Sequence, residues 1–295
     1  MVFLDGMRIV PIVSDSMGVR SLSVFIEFKE SPPLCIDGGV RIAPKRFGLP
    51  PTRLEERTLR RYTKLMEDCI RASGFVVISH YHYDHYMPDS DAYAEKRIFV
   101  KDPEEKINHS QRTRGELFRK INEKKAELFV ADGKEFRFDD FTLSFSPPVP
   151  HGEDDTSLGF VLMTYVRDEE TGETLLHTSD VQGPISVRTA DKIMEYEPDL
   201  LIMDGAPTYL AEWERPEIMT RVRKNLQRII EVVRGRIIYD HHNMRDDEWN
   251  LHLNGLKVDK LTTYAEYHRT SPLLLEAMRK DIWRMEHRRE THGKN

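Results

Sequence analysis

Six consecutive residues, His80-Tyr81-His82-Tyr83-Asp84-His85, place four metal-binding side chains directly behind a short apolar run at 75–79. That run reads as a buried strand, so the fold must bring a strand end to the cluster. Side chains alternate along extended backbone, so His80 and His82 point to one side and can share an ion. Asp84 and His85 follow as the chain turns and reach toward a second ion. Neutral imidazole with carboxylate suits zinc, manganese or iron.

The segments around the cluster give an α/β reading. Residues 8–13, 22–28 and 34–36 are apolar or β-branched runs separated by Asp15, Gly18, Pro32 and Pro33, and they predict strands. Residues 53–71 carry leucine, tyrosine and methionine at helical spacing, with Gly74 as a stop signal. Beyond the cluster come a strand at 98–100, a charged helix at 112–125, and strands at 128–130, 135–138 and 141–145, the last two joined at Asp139-Asp140. Residues 158–166 and 174–177 predict a hairpin around 168–172. The remainder alternates: helix 190–196, strand 200–203, helix 216–233, strand 236–239 and a terminal helix 272–288. Strands first and alternation later predict mixed sheets. No repeat, low-complexity tract or Gly/Ser linker interrupts the 295 residues, so 1–295 is expected to form a single domain.

Composition narrows the function classes. Cys35 and Cys69 cannot make a disulfide framework, and a chain of this length needs none; a reducing, cytoplasmic compartment is expected. Residues 1–13 are broken by Asp5, Gly6 and Arg8, unlike a signal peptide. No stretch approaches the roughly 20 apolar residues that span a bilayer, so no membrane partner is expected. Lys+Arg 44 against Asp+Glu 50 gives a net charge of -6, which argues against coating nucleic acid while leaving room for a local basic groove. The basic runs at 57–64 and 284–289 carry interspersed acids and read as solvated helix faces. The 32% charged content, with scarce glutamine, resembles proteins of hot environments.

HYHYDH matches the HxHxDH signature of the metallo-β-lactamase superfamily. The chain is similar to a mainly archaeal branch of predicted hydrolases within it, through SDSMGVRS at 14–21, APKRFGLPP at 43–51 and DGAPTYL at 204–210. The resemblance implies an αββα sandwich of two mixed sheets flanked by helices, with two divalent metals at one edge, zinc first and manganese or iron as alternatives. It assigns His80 and His82 to the first metal with His151, which follows the stiff Ser146-Pro147-Pro148-Val149-Pro150 stretch. Asp84 and His85 go to the second metal, and Asp180, after the strand at 174–177, bridges both. His177 is a rival to Asp180 that burial in the strand explains. One of His241 and His242 completes the second metal; His241, nearer the strand end, is preferred. Asp37 matches an early aspartate that fixes ligand orientation by hydrogen bonding, and Asp240 either orients a ligand or ends its strand. Asp15, Arg20, Lys45 and Arg46 are candidates for an anionic substrate.

The chemistry this implies is hydrolysis by a metal-bridging hydroxide. Two cations on the order of 3.5–4 Å apart lower the pKa of a shared water toward about 7. Asp84 takes up or hands on a proton. A small-molecule or short phosphodiester substrate is expected first, a thioester or lactone second. A metal-stabilised binding protein without turnover is the reading from a different class.

Overall fold

In the computed structural model, residues 6–210 and 216–292 are described, with side chains to residue 288. Residues 1–5 of the N-terminal stretch and the Arg289 side chain of the terminal basic run lie outside the described residues.

The first sheet opens with β1 (Arg8–Ser14), β2 (Leu22–Glu27) and β3 (Leu34–Ile36), each antiparallel to the one before. A long helix, α1 (Arg53–Ala72), then crosses over so that β4 (Phe75–Ile78) lies parallel to β3. A capping box starts α1: the Thr52 side chain accepts from Glu55 N–H, and Glu55 returns the bond. Next comes β5 (Arg97–Val100), parallel to β4; α2 (His109–Asn122) then leads to β6 (Glu127–Val130), parallel to β5.

The second sheet begins with the antiparallel pair β7 (Glu135–Arg137) and β8 (Phe141–Phe145). A two-stranded ribbon, β9 (Val149–Pro150) and β10 (Phe160–Val161), interrupts it. The hairpin β11 (Thr164–Asp168) and β12 (Thr174–His177) rejoins the sheet beside β8. Helix α3 (Val187–Glu195) leads to β13 (Leu200–Asp204), and α4 (Pro216–Val232) leads to β14 (Arg236–Asp240). β15 (Leu261–Thr262), α5 (Tyr264–Tyr267) and α6 (Arg279–His292) follow. The sheet order is β15-β14-β13-β12-β11-β8-β7, with β12 through β15 parallel.

Alternation along the strands builds the layers. In β4, Phe75 and Val77 enter one apolar cluster while Val76 and Ile78 enter another. In β13, Leu200 and Ile202 join the cluster that holds Phe75 and Val77; Leu201 and Met203 join a third. The shared cluster is therefore the seam between the sheets. Tyr62, Met66 and Ile70 of α1 and Phe118 of α2 cover the outer face of the first sheet. Ala190 and Ile193 of α3 with Leu226, Ile229 and Ile230 of α4 cover that of the second. This is the αββα sandwich that the resemblance implies.

β9, β15 and α5 are not anticipated by the sequence reading, and α3 starts three residues earlier than expected; three further departures have a clear physical cause. The run 158–166 is two strands, because Phe160 and Val161 pair with β9 whereas Thr164 onward pairs with β8 and β12. Between them, Leu162 N–H donates to Ser79 O at 3.1 Å, tying this corner to the strand that feeds the cluster. The second helix starts at His109, since Asn108 caps it by accepting from Gln111 N–H. The terminal helix starts at Arg279. The preceding residues stay extended enough for Leu273 N–H to reach Ser16 O, and buried Arg279 grips Glu55 and the Ala43 carbonyl. Arg57, Arg60, Arg61 and Lys64 are exposed along α1, as solvated charges.

Candidate metal centre

Parallel strands deliver their C-terminal ends to one edge, and the loops beyond those ends form the site. β3 runs into Asp37, β4 into Ser79 and His80, β12 into Ser179 and Asp180, and β14 into His241. Three of these loop residues hold left-handed backbone: Asp37 at φ 52°, Ser179 at 57° and His241 at 78°. Such conformations cost on the order of 1–3 kcal/mol each and persist where packing dictates them. Gly39 matters for space: a Cβ there would collide with the backbone of His85 and Tyr86, so glycine lets the Asp37 loop close on the cluster.

Among the described residues the ligand-type atoms converge in four overlapping groups, those of each group within 4.8 Å of one another: His80, His82, His151 and Asp180; Asp84, His85 and His241; Asp180, His241 and His242; and Asp37, His80 and His85. Asp180 faces the first two. Its Oδ2 lies 3.2 Å from His151 Nε2 and 3.6 Å from His80 Nε2. Its Oδ1 lies 3.1 Å from His85 Nε2 and 3.4 Å from His241 Nε2. His80 Nε2 and His82 Nδ1 approach to 3.0 Å, so two ring nitrogens point at one place. Asp84 Oδ2 is 3.8 Å from His241 Nε2 and, with a side chain 16% exposed, stands on the open side. His242 Nε2 sits 3.9 Å from Asp180 Oδ2, the outermost of the imidazoles facing that carboxylate.

Other polar groups aim these rings. Asp37, fully buried, accepts from Ser79 N–H and Ser79 Oγ–H and pairs with His85 Nδ1 at 2.9 Å. The hydroxyls of Ser79 and Ser179 lie 3.1 and 3.2 Å from His80 Nδ1, leaving Nε2 to face the cluster. His241 Nδ1 pairs with Asp15 at 2.7 Å, and His242 Nδ1 with Asp204 at 2.8 Å. Asp240 accepts from the backbone N–H groups of Ser16, His241 and Tyr264 and so fixes the strand end beneath His241.

This donor set suits divalent cations. Buried His85 Nε2, both ring nitrogens of His151, and Asp180 Oδ1 have no hydrogen-bond partner. Buried polar atoms are rarely left so, and three of them, His85 Nε2, His151 Nε2 and Asp180 Oδ1, lie at the Asp180 carboxylate where a cation would satisfy them. Burial and neighbouring imidazoles hold His80 well below the usual histidine range and His82 down to about 3, so both are neutral and ligand-ready. Burial opposes the charged form of His85 and His241 too, but Asp180 with Asp37 or Asp15 outweighs it; His85 is raised and His241 reaches about 10. Burial would raise Asp180, yet His85 and His241 hold it ionised.

A pH dependence follows. In metal-free protein, the His241 contribution to stability is complete below about 6.5 and is lost as pH rises through about 10. Cation uptake must displace that proton. Calorimetry in buffers of differing ionisation enthalpy should therefore show proton release at pH 8, where ordinary histidine has almost none to give, fading as pH passes about 10. No release at pH 8 would contradict the protonated pair.

Arg20 and Arg46 have protein partners close to the centre. Arg20 spends its guanidinium on Glu276, with contacts of 2.7 and 2.6 Å. Lys45 is exposed, and Arg46 stacks on the Tyr209 ring while its Nη2 donates to Arg245 O. Asp15 is an acid holding His241 and Arg245, which makes it an orienting group and a poor seat for an anion. His177 lies buried in its strand, its Nε2 2.7 Å from the Leu22 carbonyl. Tyr81 packs inside with its hydroxyl donating to Lys101 O, whereas Tyr83 faces solvent between Arg41 and Arg114. Sequence reasoning missed Arg245, Ser79 and Ser179, and took Asp204 only as part of a shared stretch. Each is a lone polar residue with no periodicity to announce it.

No protein-family model matches the chain. A UPF0282 protein of Thermococcus sibiricus is 37% identical over 294 residues, covering 95% of each chain. A UPF0282 protein of Methanocaldococcus jannaschii is 37% identical over 289 residues, covering 94% of this chain and 96% of its own. The chain belongs to the UPF0282 family. Its two-sheet sandwich, with HxHxDH at the end of β4, has the architecture and the motif that the resemblance to the metallo-β-lactamase superfamily implies. Among solved structures, unliganded yeast PDE1 is similar at a TM-score of 0.49 and 11% identity, over 80% of this chain and 88% of that one. A likeness of that extent carries nothing about reaction or substrate. Among the described residues of the UPF0282 chain, no helix is long and apolar enough to cross a membrane.

Proposed function

We propose that this UPF0282 protein is a metal-dependent hydrolase that holds two divalent cations, zinc first, and acts on phosphodiesters or related phosphorylated compounds. The observation that carries the reading is Asp180, with one carboxylate oxygen toward His80 and His151 and the other toward His85 and His241. His80, His82 and His151 would hold one cation, Asp84, His85 and His241 the other, and Asp180 both. Cations so held supply Lewis-acid stabilisation of developing negative charge and make water nucleophilic near neutral pH.

The chain's own groups do the rest. Burial alone would raise Asp84, but His85, His241 and Arg245 keep it ionised, so its Oδ2 can accept a hydrogen bond from the attacking water and take its proton. Asp37 and Asp15 keep His85 and His241 aimed by bonding their opposite ring nitrogens. Buried Leu162, whose N–H donates to Ser79 O next to His80, helps to exclude bulk water and so strengthens these interactions.

Turnover of bis(p-nitrophenyl) phosphate and of an acyl thioester, with zinc or manganese, tests the reading. Diester hydrolysis that stops with a chelator and returns with metal is expected, as is its loss in Asp84→Asn. Thioester turnover without diester turnover would overturn the substrate class. Tightly held metal with neither activity would favour a binding protein.

A further inference from the structure

Arg245 is 3% exposed and sits in the 3-10 turn His242–Arg245 just beyond β14. One of its nitrogens is firmly placed: Nε donates to Asp15 Oδ1 at 2.7 Å, and the other oxygen of Asp15 is held by His241 Nδ1. The outer nitrogens are not so placed. Nη2 lies 3.5 Å from Asp84 Oδ2 and 3.2 and 3.4 Å from the ring nitrogens of His241; Nη1 has the Tyr209 hydroxyl at 3.4 Å. Both His241 nitrogens have other work, Nδ1 with Asp15 and Nε2 facing Asp180 and Asp84. A guanidinium carries five N–H donors and no acceptor, so four buried donors here have only long or already committed partners. A purely structural pairing with Asp15 explains Nε and leaves those four unexplained.

We propose that Arg245 clamps an anionic oxygen of the substrate's reacting phosphoryl group, with its outer nitrogens beside Asp84. The placement suits that role. Asp84 marks the open side of the centre, so a group bound there meets the outer nitrogens of Arg245 at the same time as the ligand cluster. Arg20 and Arg46 share Glu276, whereas the acid nearest Arg245 is divided with His241. The stack of Arg46 on the Tyr209 ring at 4.5 Å keeps that hydroxyl at Nη1. A phosphoryl group carries negative charge on its own oxygens before reaction, and the planar fork matches two of them. A thioester or lactone carbonyl is neutral until the transition state, so it gives the clamp nothing to hold in the ground state.

The proposal rests on the hydrolase reading, and its test separates the two. Inorganic phosphate is titrated calorimetrically into metal-loaded wild type, Arg245→Gln, Arg245→Lys and Tyr209→Phe, with metal content measured in each. Arg245→Gln should keep its metal and bind phosphate roughly 10- to 100-fold more weakly, the scale of charge-assisted hydrogen bonds. Arg245→Lys, a point charge without the fork, should fall between, and KM for the diester should rise in the same order. If Arg245→Gln does not fold, Arg245→Lys carries the test alone, with weaker phosphate binding expected. Unchanged phosphate affinity in a folded, metal-loaded variant would overturn the clamp. Metal lost together with phosphate affinity would make Arg245 a support of the centre and overturn it equally. Arg245-dependent phosphate binding without any turnover would keep the clamp and sink the hydrolase; thioester turnover without phosphate binding would do the reverse.

Discussion

Asp180→Asn is expected to remove both cations from the purified protein and to reduce hydrolysis by far more than the roughly 10–100-fold typical of losing an orienting partner. The asparagine keeps the shape but gives up the charge that faces His80 and His151 with one oxygen and His85 and His241 with the other. Neither half-site then has its shared ligand. The same change should weaken the metal-free fold, because His85 and His241 are raised chiefly by this carboxylate against the pull of burial. Removing one partner of a buried ionic group costs about 3–5 kcal/mol. Elemental analysis and a thermal melt on metal-stripped protein check both halves. A variant holding two cations with near-normal rate would refute the shared-ligand role.

His241→Ala and His242→Ala should part company, although the residues are adjacent. His241 faces Asp84, His85 and Asp180, so His241→Ala should drop bound metal from two to one per chain and abolish turnover. His242 is tied to Asp204 and stands 3.9 Å from Asp180, so His242→Ala should keep two cations and lose activity only within the roughly 10–100-fold range of an outer group. The left-handed backbone at His241 causes the split, turning its side chain inward while His242 begins the next turn. The opposite pattern of metal loss would exchange their roles.

What the sequence showed and hid follows from which interactions are local. HYHYDH is contiguous, so alternation at a strand end was enough to mark it as a ligand cluster and to propose its division between two ions. Asp37, His151 and Asp180 came from their order along a known pattern, and the structure brings all three to the same edge. The pairing of Asp15 with His241 spans 226 positions and exists only because the turn after β1 meets the end of β14. Arg245 and Asp204 were obscure for the same reason. The pairing of Arg20 with Glu276, 256 positions away, likewise could not be foreseen from the sequence. Among the elements, strands with clear alternation were legible. The break within 158–166 was not, since an unbroken apolar run does not reveal a change of pairing partner. The start of the last helix was hidden by a tertiary clamp, Arg279 on Glu55.

Anomalous diffraction at the absorption edge of the bound metal, from crystals of the metal-loaded protein, tests the central claim most directly. Two peaks are expected, one on each side of Asp180: the first among His80, His82 and His151, the second among Asp84, His85 and His241. A single peak, or metal bound away from Asp180, would contradict the two-cation centre.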